Sequence, residues 1–175
     1  MNFQFYLEKL KTSEEYKKFM KEHPNAYLCS AFFIIDIEGK RKGDQSHIDF
    51  FEEDKNLWWS FKLEDGVKLI PMERVEKAEG EKNPAKLKAN SSLEFKEIES
   101  LIQNEMDKQE INKKMQKIIM ILQNIEDKDV YLCTVFVYGL GIIKVHFEDV
   151  KDKSDCRGKI TFFEKKSFFD FIRKA

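Results

Sequence analysis

Three short blocks of sequence occur twice in the chain and in the same order. Residues 27–32 (YLCSAF) resemble residues 131–136 (YLCTVF), and residues 48–52 (IDFFE) resemble residues 160–164 (ITFFE). The third pair is less close and consists of WWSF at 58–61 and FFDF at 168–171. Repeated order is typical of an internal duplication, although strands of similar apolar pattern also resemble each other by chance.

The blocks predict two similar α-β units that close into one body. The first unit is expected at 1–72 and the second at 91–175. The intervening residues 73–90 hold Gly80 and Pro84 and few large apolar side chains, so they are predicted to form a connector.

Helix-forming sequence precedes the strands of each predicted unit. In the first unit, Thr12 and Glu15 have capping-box spacing at the start of a Glu- and Lys-rich segment, and Pro24 ends it. In the second unit, Ser91 and Glu94 have the same spacing, and apolar residues then recur every three or four positions as far as Ile125. We therefore expect one kinked helix, or two helices in series, over 91–125.

Several segments have strand patterns. Residues 26–37 and 130–138 are apolar on both faces, which is typical of strands in the middle of a sheet. Alternation predicts further strands at 47–52, 57–63, 142–147 and 159–163, and Asp65-Gly66 predicts a hairpin turn. Residues 167–174 fit a strand or a short helix.

Together these patterns predict an α+β fold. Duplicated units of a helix followed by antiparallel strands would form one mostly antiparallel sheet, with the helices packed on one side. Such pairing buries the central strands and leaves fewer exposed sheet edges.

The charges are balanced, with 31 Lys and Arg against 32 Asp and Glu, and only four of the basic residues are Arg. A nucleic-acid surface needs clustered positive charge, so we expect no nucleic-acid partner. The longest uncharged run, 130–143, is shorter than the ~20 residues of a membrane span. We expect no membrane partner and, since Glu8 lies where a signal peptide would be apolar, a cytoplasmic location.

Two His-carboxylate pairs are the best candidates for metal chemistry. His47 and Asp49 lie two residues apart, as do His146 and Glu148, so each pair shares one face of a strand. If the two strands were close, the four side chains would suit iron or zinc. The alternative is that they form the solvated faces of half-buried strands, and we predict no metal and no cofactor.

The remaining motifs carry little chemistry. Cys29 and Cys133 lie in apolar strand patterns and are expected to be buried thiols, whereas Cys156 is expected in a loop. Gly139-Leu-Gly141 predicts a turn or bulge, and Lys40-Arg-Lys42 a loop tip in solvent or in contact with phosphate or an acidic partner.

Aromatic side chains provide the candidate binding surface. Trp58 points opposite to Trp59 and Phe61, and Phe51 opposite to Phe50, so Phe51 and Trp58 are predicted on the sheet face without helices. Exposed aromatic residues are enriched at interfaces, although another element of the chain could cover these two.

The sequence thus favours a non-enzymatic binding or protein-interaction module, with an unknown protein partner or a second copy of the chain. Two alternatives remain open at this point. One is a metal-dependent enzyme that uses His47, Asp49, His146 and Glu148; the other is a carrier of a small apolar ligand in a cavity between sheet and helices.

Overall fold

The computed structural model describes residues 1–71, 82–139, 141–149 and 158–167. Within these ranges the chain forms α-helices and β-strands, which we number in chain order. The elements are α1 (Phe3–Thr12), α2 (Glu14–Glu22), β1 (Tyr27–Asp36), β2 (Gln45–Glu52), β3 (Leu57–Lys62), β4 (Lys68–Pro71), α3 (Phe95–Lys108), β5 (Met115–Ile125), β6 (Lys128–Val137), β7 (Gly141–Asp149) and β8 (Gly158–Ser167).

Polar side chains cap the starts of the helices. The Asn2 side chain accepts a hydrogen bond from Phe5 N (3.0 Å) at the start of α1. Ser13, one residue after the predicted cap at Thr12, accepts from Tyr16 N (3.2 Å) at the start of α2. These contacts satisfy backbone donors that have no partner within the helix.

All eight described strands form one sheet with the order β4-β3-β2-β1-β5-β6-β7-β8. Every neighbouring pair is antiparallel. The prediction of an α+β fold with a mostly antiparallel sheet is therefore confirmed. The pairing of β1 with β5 is central, because it joins the four strands that precede α3 to the four that follow it.

The helix predicted over 91–125 is wrong in its second half. A single helix, α3, ends at Lys108, and the chain then forms β5 from Met115 to Ile125. The side chains of Ile118, Met120 and Leu122 are buried, whereas Ile119 and Ile121 lie on the other face. The uninterrupted β-branched and apolar run is better suited to a strand, and its burial alternates with a period of two.

The internal duplication is not confirmed. A helical segment followed by four strands does occur twice, but the similar sequence blocks occupy different places. Residues 27–32 lie in β1 and 131–136 in β6, while 48–52 lie in β2 and 160–164 in β8. In the second half, strand β7 lies between the two blocks, whereas in the first half no strand lies between the corresponding blocks. The block at 168–171 lies outside the described residues.

All helices of the described chain pack on one face of the sheet, which we call the helix face; the opposite face is the open face. The core includes Phe3, Phe19 and Ile102 from the helices. They belong to the same cluster as inward side chains of the sheet, including Phe33, Met120, Cys133 and Val145. Cross-strand pairing places the last four in one row, so a single core extends from β1 to β7.

The described part of the connector, 82–90, has no helix or strand but is anchored to the sheet. Leu87 N donates to Leu28 O (3.0 Å), and the Tyr27 hydroxyl donates to Pro84 O (2.9 Å). The Asp129 carboxylate accepts from Lys88 N and Ala89 N (3.0 and 2.8 Å). These bonds hold the segment against β1 and the β5–β6 turn.

Candidate binding surface

A row of side chains crosses the open face at the middle of the sheet. The strand register aligns one residue from each of six adjacent strands: His47, Phe32, Ile121, Leu132, His146 and Phe162. Neighbouring strands in a sheet are ~4.8 Å apart, so these side chains form a continuous band. We call this set the central row.

The apolar members of the central row are partly exposed. Ile121 retains 36% of its accessible surface and Phe162 retains 39%, while Phe32 and Leu132 are half-buried. Ile34, Ile119, Phe136 and Ile142 extend the apolar area toward one end of the sheet and are also half-buried. Contiguous apolar surface of this kind, as opposed to scattered single residues, is typical of interaction sites.

A shallow groove lies beside the central row, at the end of the open face where β1 ends and β5 begins. It has a volume of about 640 Å³. Ile34, Ile119 and Phe136 supply its apolar surface. Its charged groups are the carboxylates of Asp36 and Glu38 and the amine of Lys117. Tyr138 and Gln116 donate hydrogen bonds to the Glu38 carboxylate, the latter at 2.8 Å. We call this feature the rim groove.

The two aromatic residues predicted for binding differ in exposure. Phe51 has 0% of its surface exposed, because Tyr27 and Trp58 pack against its ring at centroid distances of 5.8 and 5.3 Å. The expectation that Phe51 is exposed on the open face is therefore corrected. Trp58 is half-buried, and a binding role for either residue stays a prediction.

The two His-carboxylate pairs do not converge. His47 lies in β2 and His146 in β7, four strand positions apart, which corresponds to ~19 Å. Their carboxylates have other partners: Asp49 accepts from Ser30 Oγ (2.6 Å), and Glu148 pairs with Lys128 (3.2 Å). No group of three or more metal-ligating side chains occurs in the described residues. These four side chains therefore do not form the shared metal site that was considered as an alternative to the solvated-strand interpretation.

His47 instead lies between Ser60 and Glu64, an arrangement that the sequence did not indicate. The Ser60 Oγ to His47 Nδ1 distance is 3.4 Å, and the His47 Nε2 to Glu64 Oε1 distance is 3.8 Å. Ser60 is buried, and Glu64 Oε1 accepts from Ser46 N at 2.5 Å. A nucleophilic serine needs an open approach and a close base, so this set is better suited to linking β2 with β3.

His146 is held in an apolar setting. Its ring stacks on Phe162 at a centroid distance of 4.7 Å. Burial, with a smaller contribution from the charge of Lys144, lowers the pKa of His146 below its usual value. The neutral imidazole is therefore favoured, and the central row carries no positive charge at this position near neutral pH.

The remaining motifs have structural roles. Arg41, in the Lys40-Arg-Lys42 loop, pairs with Glu99 of α3 (2.7 Å). Gly139, at a φ of 79°, forms part of the turn between β6 and β7, as its sequence predicted. Cys29 and Cys133 are buried free thiols, as expected, and Cys156 lies outside the described residues.

A cavity on the helix side, beside Tyr6, Phe33 and Phe95, has a volume of about 50 Å³. One water molecule in the liquid takes ~30 Å³, whereas ligand pockets usually measure ~300 Å³ or more. This cavity therefore does not support the apolar-ligand carrier suggested from the sequence.

Comparisons with known proteins bear on the fold alone. No family model matches the chain, and no curated protein matches it. The chain is similar to a solved structure from Clostridium difficile 630 described as a putative lipoprotein, with 13% sequence identity and a TM-score of 0.54. The likeness covers 87% of this chain and 91% of that one. No helix in the described residues is long and apolar enough to cross a membrane. At this identity, the chain shares the fold of that structure.

Proposed function

We propose that the chain is a protein-binding module and that the central row of the open face is its contact surface. One observation carries the proposal: Phe32, Ile121, Leu132 and Phe162 form an apolar band across the sheet, with two of the four more than a third exposed. The helices lie on the other face, so they do not cover this band.

The chemistry around the band favours a protein partner. Charges of both signs border it, including Lys62, Lys144, Glu148 and Glu164. An apolar centre with a mixed polar rim is typical of protein interfaces, whereas a nucleic-acid surface would have clustered positive charge. The partner is therefore expected to present an apolar patch with scattered charges around it.

Peptides selected from a displayed library on the immobilised full chain provide a defined probe. We expect the selected peptides to bind the natural chain and to lose at least ~10-fold in affinity for Ile121→Glu, because a desolvated carboxylate costs more than 1.4 kcal/mol in an apolar contact. Phe5→Glu is the matched control, since Phe5 is 50% exposed but lies on α1. Equal loss in both variants, or none in Ile121→Glu, would contradict the proposal.

A second copy of the chain is the alternative partner. Analytical ultracentrifugation of the natural chain and of Ile121→Glu, each at several concentrations, tests whether the chain forms a dimer. A dimer that dissociates in Ile121→Glu but persists in Phe5→Glu would identify the partner as a second copy. A monomer throughout, together with peptide binding, would favour a different protein.

We also propose that the module acts in the cytoplasm, where free thiols such as Cys29 and Cys133 stay reduced. The solved structure that shares the fold is described as a putative lipoprotein, so association with a membrane is the alternative location to test for this chain. Fractionation of cells that produce the chain separates the two locations. Recovery of the chain in the membrane fraction or outside the cells would overturn the cytoplasmic proposal and leave the binding proposal intact.

A further inference from the structure

Strand β8 forms one edge of the sheet and has apolar side chains on both faces. Among the described residues it pairs with β7 alone, and no strand lies along its outer side. Phe162 is 39% exposed on the open face, while Ile160 and Phe163 are half-buried on the helix face. The backbone N–H and C=O groups on the outer side of an edge strand are a template for pairing with another chain.

A β-bulge in β8 decides which of its residues share a face. The register with β7 omits Thr161, which is therefore an extra residue in β8. In a regular strand, Lys159 and Glu164 would point to opposite faces, because they lie five positions apart. With the extra residue between them, both lie on the open face. For the same reason, Ile160 and Phe163 both lie on the helix face.

These positions make β8 complementary to an antiparallel copy of itself. A two-fold axis at the bulge places Lys159 of each copy opposite Glu164 of the other, and Ile160 of each copy opposite Phe163 of the other. Residues that lie opposite each other in an antiparallel pair share a face, and both pairs meet this requirement. One register therefore forms two opposite-charge pairs and two apolar pairs.

The lysines of β8 select this register. Lysine side chains on an edge strand discourage unspecific pairing. In the register with the axis at the bulge, Lys159 lies opposite Glu164, and Lys165 lies opposite Gly158, where there is no side chain to obstruct it. A shift by two residues would instead place Lys159 opposite Lys166, which is unfavourable because both are positively charged.

We propose that two copies of the chain pair antiparallel through residues 158–165 of β8 and form one continuous sheet across the dimer. The Phe162 rings of the two copies meet on the open face beside the two-fold axis, because neighbouring strands are ~4.8 Å apart. The two central rows then form a single band, which stays uncovered. The dimer does not depend on the function proposed above, since that contact is made by the face of the sheet and this one by its edge.

Carbodiimide cross-linking of an equimolar mixture of isotopically labelled and unlabelled chain tests the register. The reagent joins an amine to a carboxylate in direct contact with it. Within one chain, five residues of extended strand separate Lys159 from Glu164 by ~17 Å, so only two chains can supply this cross-link. We expect peptides that join Lys159 of one isotope to Glu164 of the other. The Lys166–Glu164 contact within one chain, at 3.0 Å, is the internal control for the reaction.

Analytical ultracentrifugation of charge-reversal variants tests the two ion pairs. The natural chain should form a concentration-dependent dimer. Lys159→Glu and Glu164→Lys should each raise its dissociation constant at least ~10-fold, because each converts two attractive pairs into two repulsive ones. The double variant has opposite charges again and should recover the dimer. Lys68→Glu is the matched control, since Lys68 is exposed on β4 at the other edge of the sheet.

Three results would overturn the proposal. A monomer at every concentration would show that the edge of β8 has another occupant or none. A dimer without the Lys159–Glu164 cross-link between chains, or one that the double variant fails to recover, would exclude this register. A dimer that dissociates in Ile121→Glu but not in Lys159→Glu would place the contact on the open face. The cross-linking uses the natural chain, so its result does not depend on the folding of any variant, and peptide binding at Ile121 is measured separately.

Discussion

Glu52 is the most completely buried carboxylate in the described chain, and it is fully paired. One of its oxygens lies 2.8 Å from His23 Nδ1 and the other 2.8 Å from Lys55 Nζ. The His23 ring also packs on Trp59 at a centroid distance of 4.3 Å. The His23–Glu52 contact connects the end of α2 to the end of β2, so losing it would leave the half-buried His23 Nδ1 without its hydrogen-bond partner.

The first prediction concerns acid sensitivity at Glu52. Burial alone would raise its pKa, but hydrogen bonds from Lys55 and His23 outweigh it and hold the pKa below the ordinary 4.5. A lowered folded-state pKa means that the carboxylate stabilises the fold above pH 4.5 and that this contribution is lost as pH falls through the folded-state value. We expect Glu52→Gln to cost about 1–3 kcal/mol at pH 7 and to weaken the acid dependence.

Urea unfolding between pH 3 and pH 7 measures this effect, and Glu8→Gln is the control. Glu8 is an exposed carboxylate on α1, so its substitution should change neither the free energy of unfolding at pH 7 nor its slope with pH. Parallel pH profiles for the natural chain and Glu52→Gln would contradict the assignment.

The second prediction concerns the two buried thiols. Burial raises the pKa of Cys29 to about 12, and it raises the pKa of Cys133 further. Only the thiolate reacts with iodoacetamide, so alkylation at pH 8 should be at least ~100-fold slower in the folded chain than in urea. Mass spectrometry of peptides that contain each cysteine measures the two rates. Rapid modification of either residue in the folded chain would show that its strand opens locally.

At the level of elements, the positions of the strands can be predicted from the sequence more reliably than the elements that pack against them. The segments at 26–37, 47–52 and 142–147 match observed strands, the first to within one residue at each end, because alternation records which side chains face the core. The Asp65-Gly66 turn is also present, with Gly66 at a φ of 98°. Strand β5 escaped prediction, because the apolar residues of 115–125 fit helical spacing as well as alternation. Only tertiary pairing with β1 and β6 decides between the two.

The binding surface was partly indicated by the sequence. Apolar residues on both faces of 26–37 and 130–138 placed these segments in the middle of the sheet, which is correct for β1 and β6. The sequence predicted helices on one side of the sheet, but segments that are apolar on both faces do not indicate which face the helices cover, so Phe32 and Leu132 were not recognised as surface residues. Phe51 was expected to be exposed, but its neighbours bury it, and a single-strand pattern contains no information about such neighbours.

The third prediction concerns the contact between α3 and β8. A β-carbon added at Gly158 would lie 2.7 Å from Leu101 Cδ1 and 3.2 Å from Leu93 Cδ2. We therefore expect Gly158→Ala to cost about 1–3 kcal/mol of unfolding free energy through overpacking. Urea unfolding measures the cost, and Lys159→Ala is the control, because Lys159 is the exposed next residue of the same strand. Equal stability of Gly158→Ala and the natural chain would show that α3 can move away from β8 at little cost.

At the scale of the whole molecule, stability depends on the junction between β1 and β5. Seven residue pairs from Ser30 to Asp36 align the two strands, and they connect the halves of the sheet at its centre. The core beneath is also continuous, since Ala31, Leu122 and Tyr131 belong to one cluster. Separating the halves would expose two strand edges and divide this cluster, so neither half is expected to remain folded without the other.

The fourth prediction follows from that continuity: the chain should unfold in a single cooperative transition. The only tryptophans, Trp58 and Trp59, lie in β3, so fluorescence reports the first half, whereas far-UV circular dichroism reports all helices and strands. The two urea transitions should coincide. Val145→Ala, at a fully buried position of β7, should cost ~2 kcal/mol and shift both transitions equally, although β7 belongs to the second half and lies five strand positions from β3. A fluorescence transition that is unchanged in Val145→Ala would show that 1–72 and 91–175 unfold as separate units.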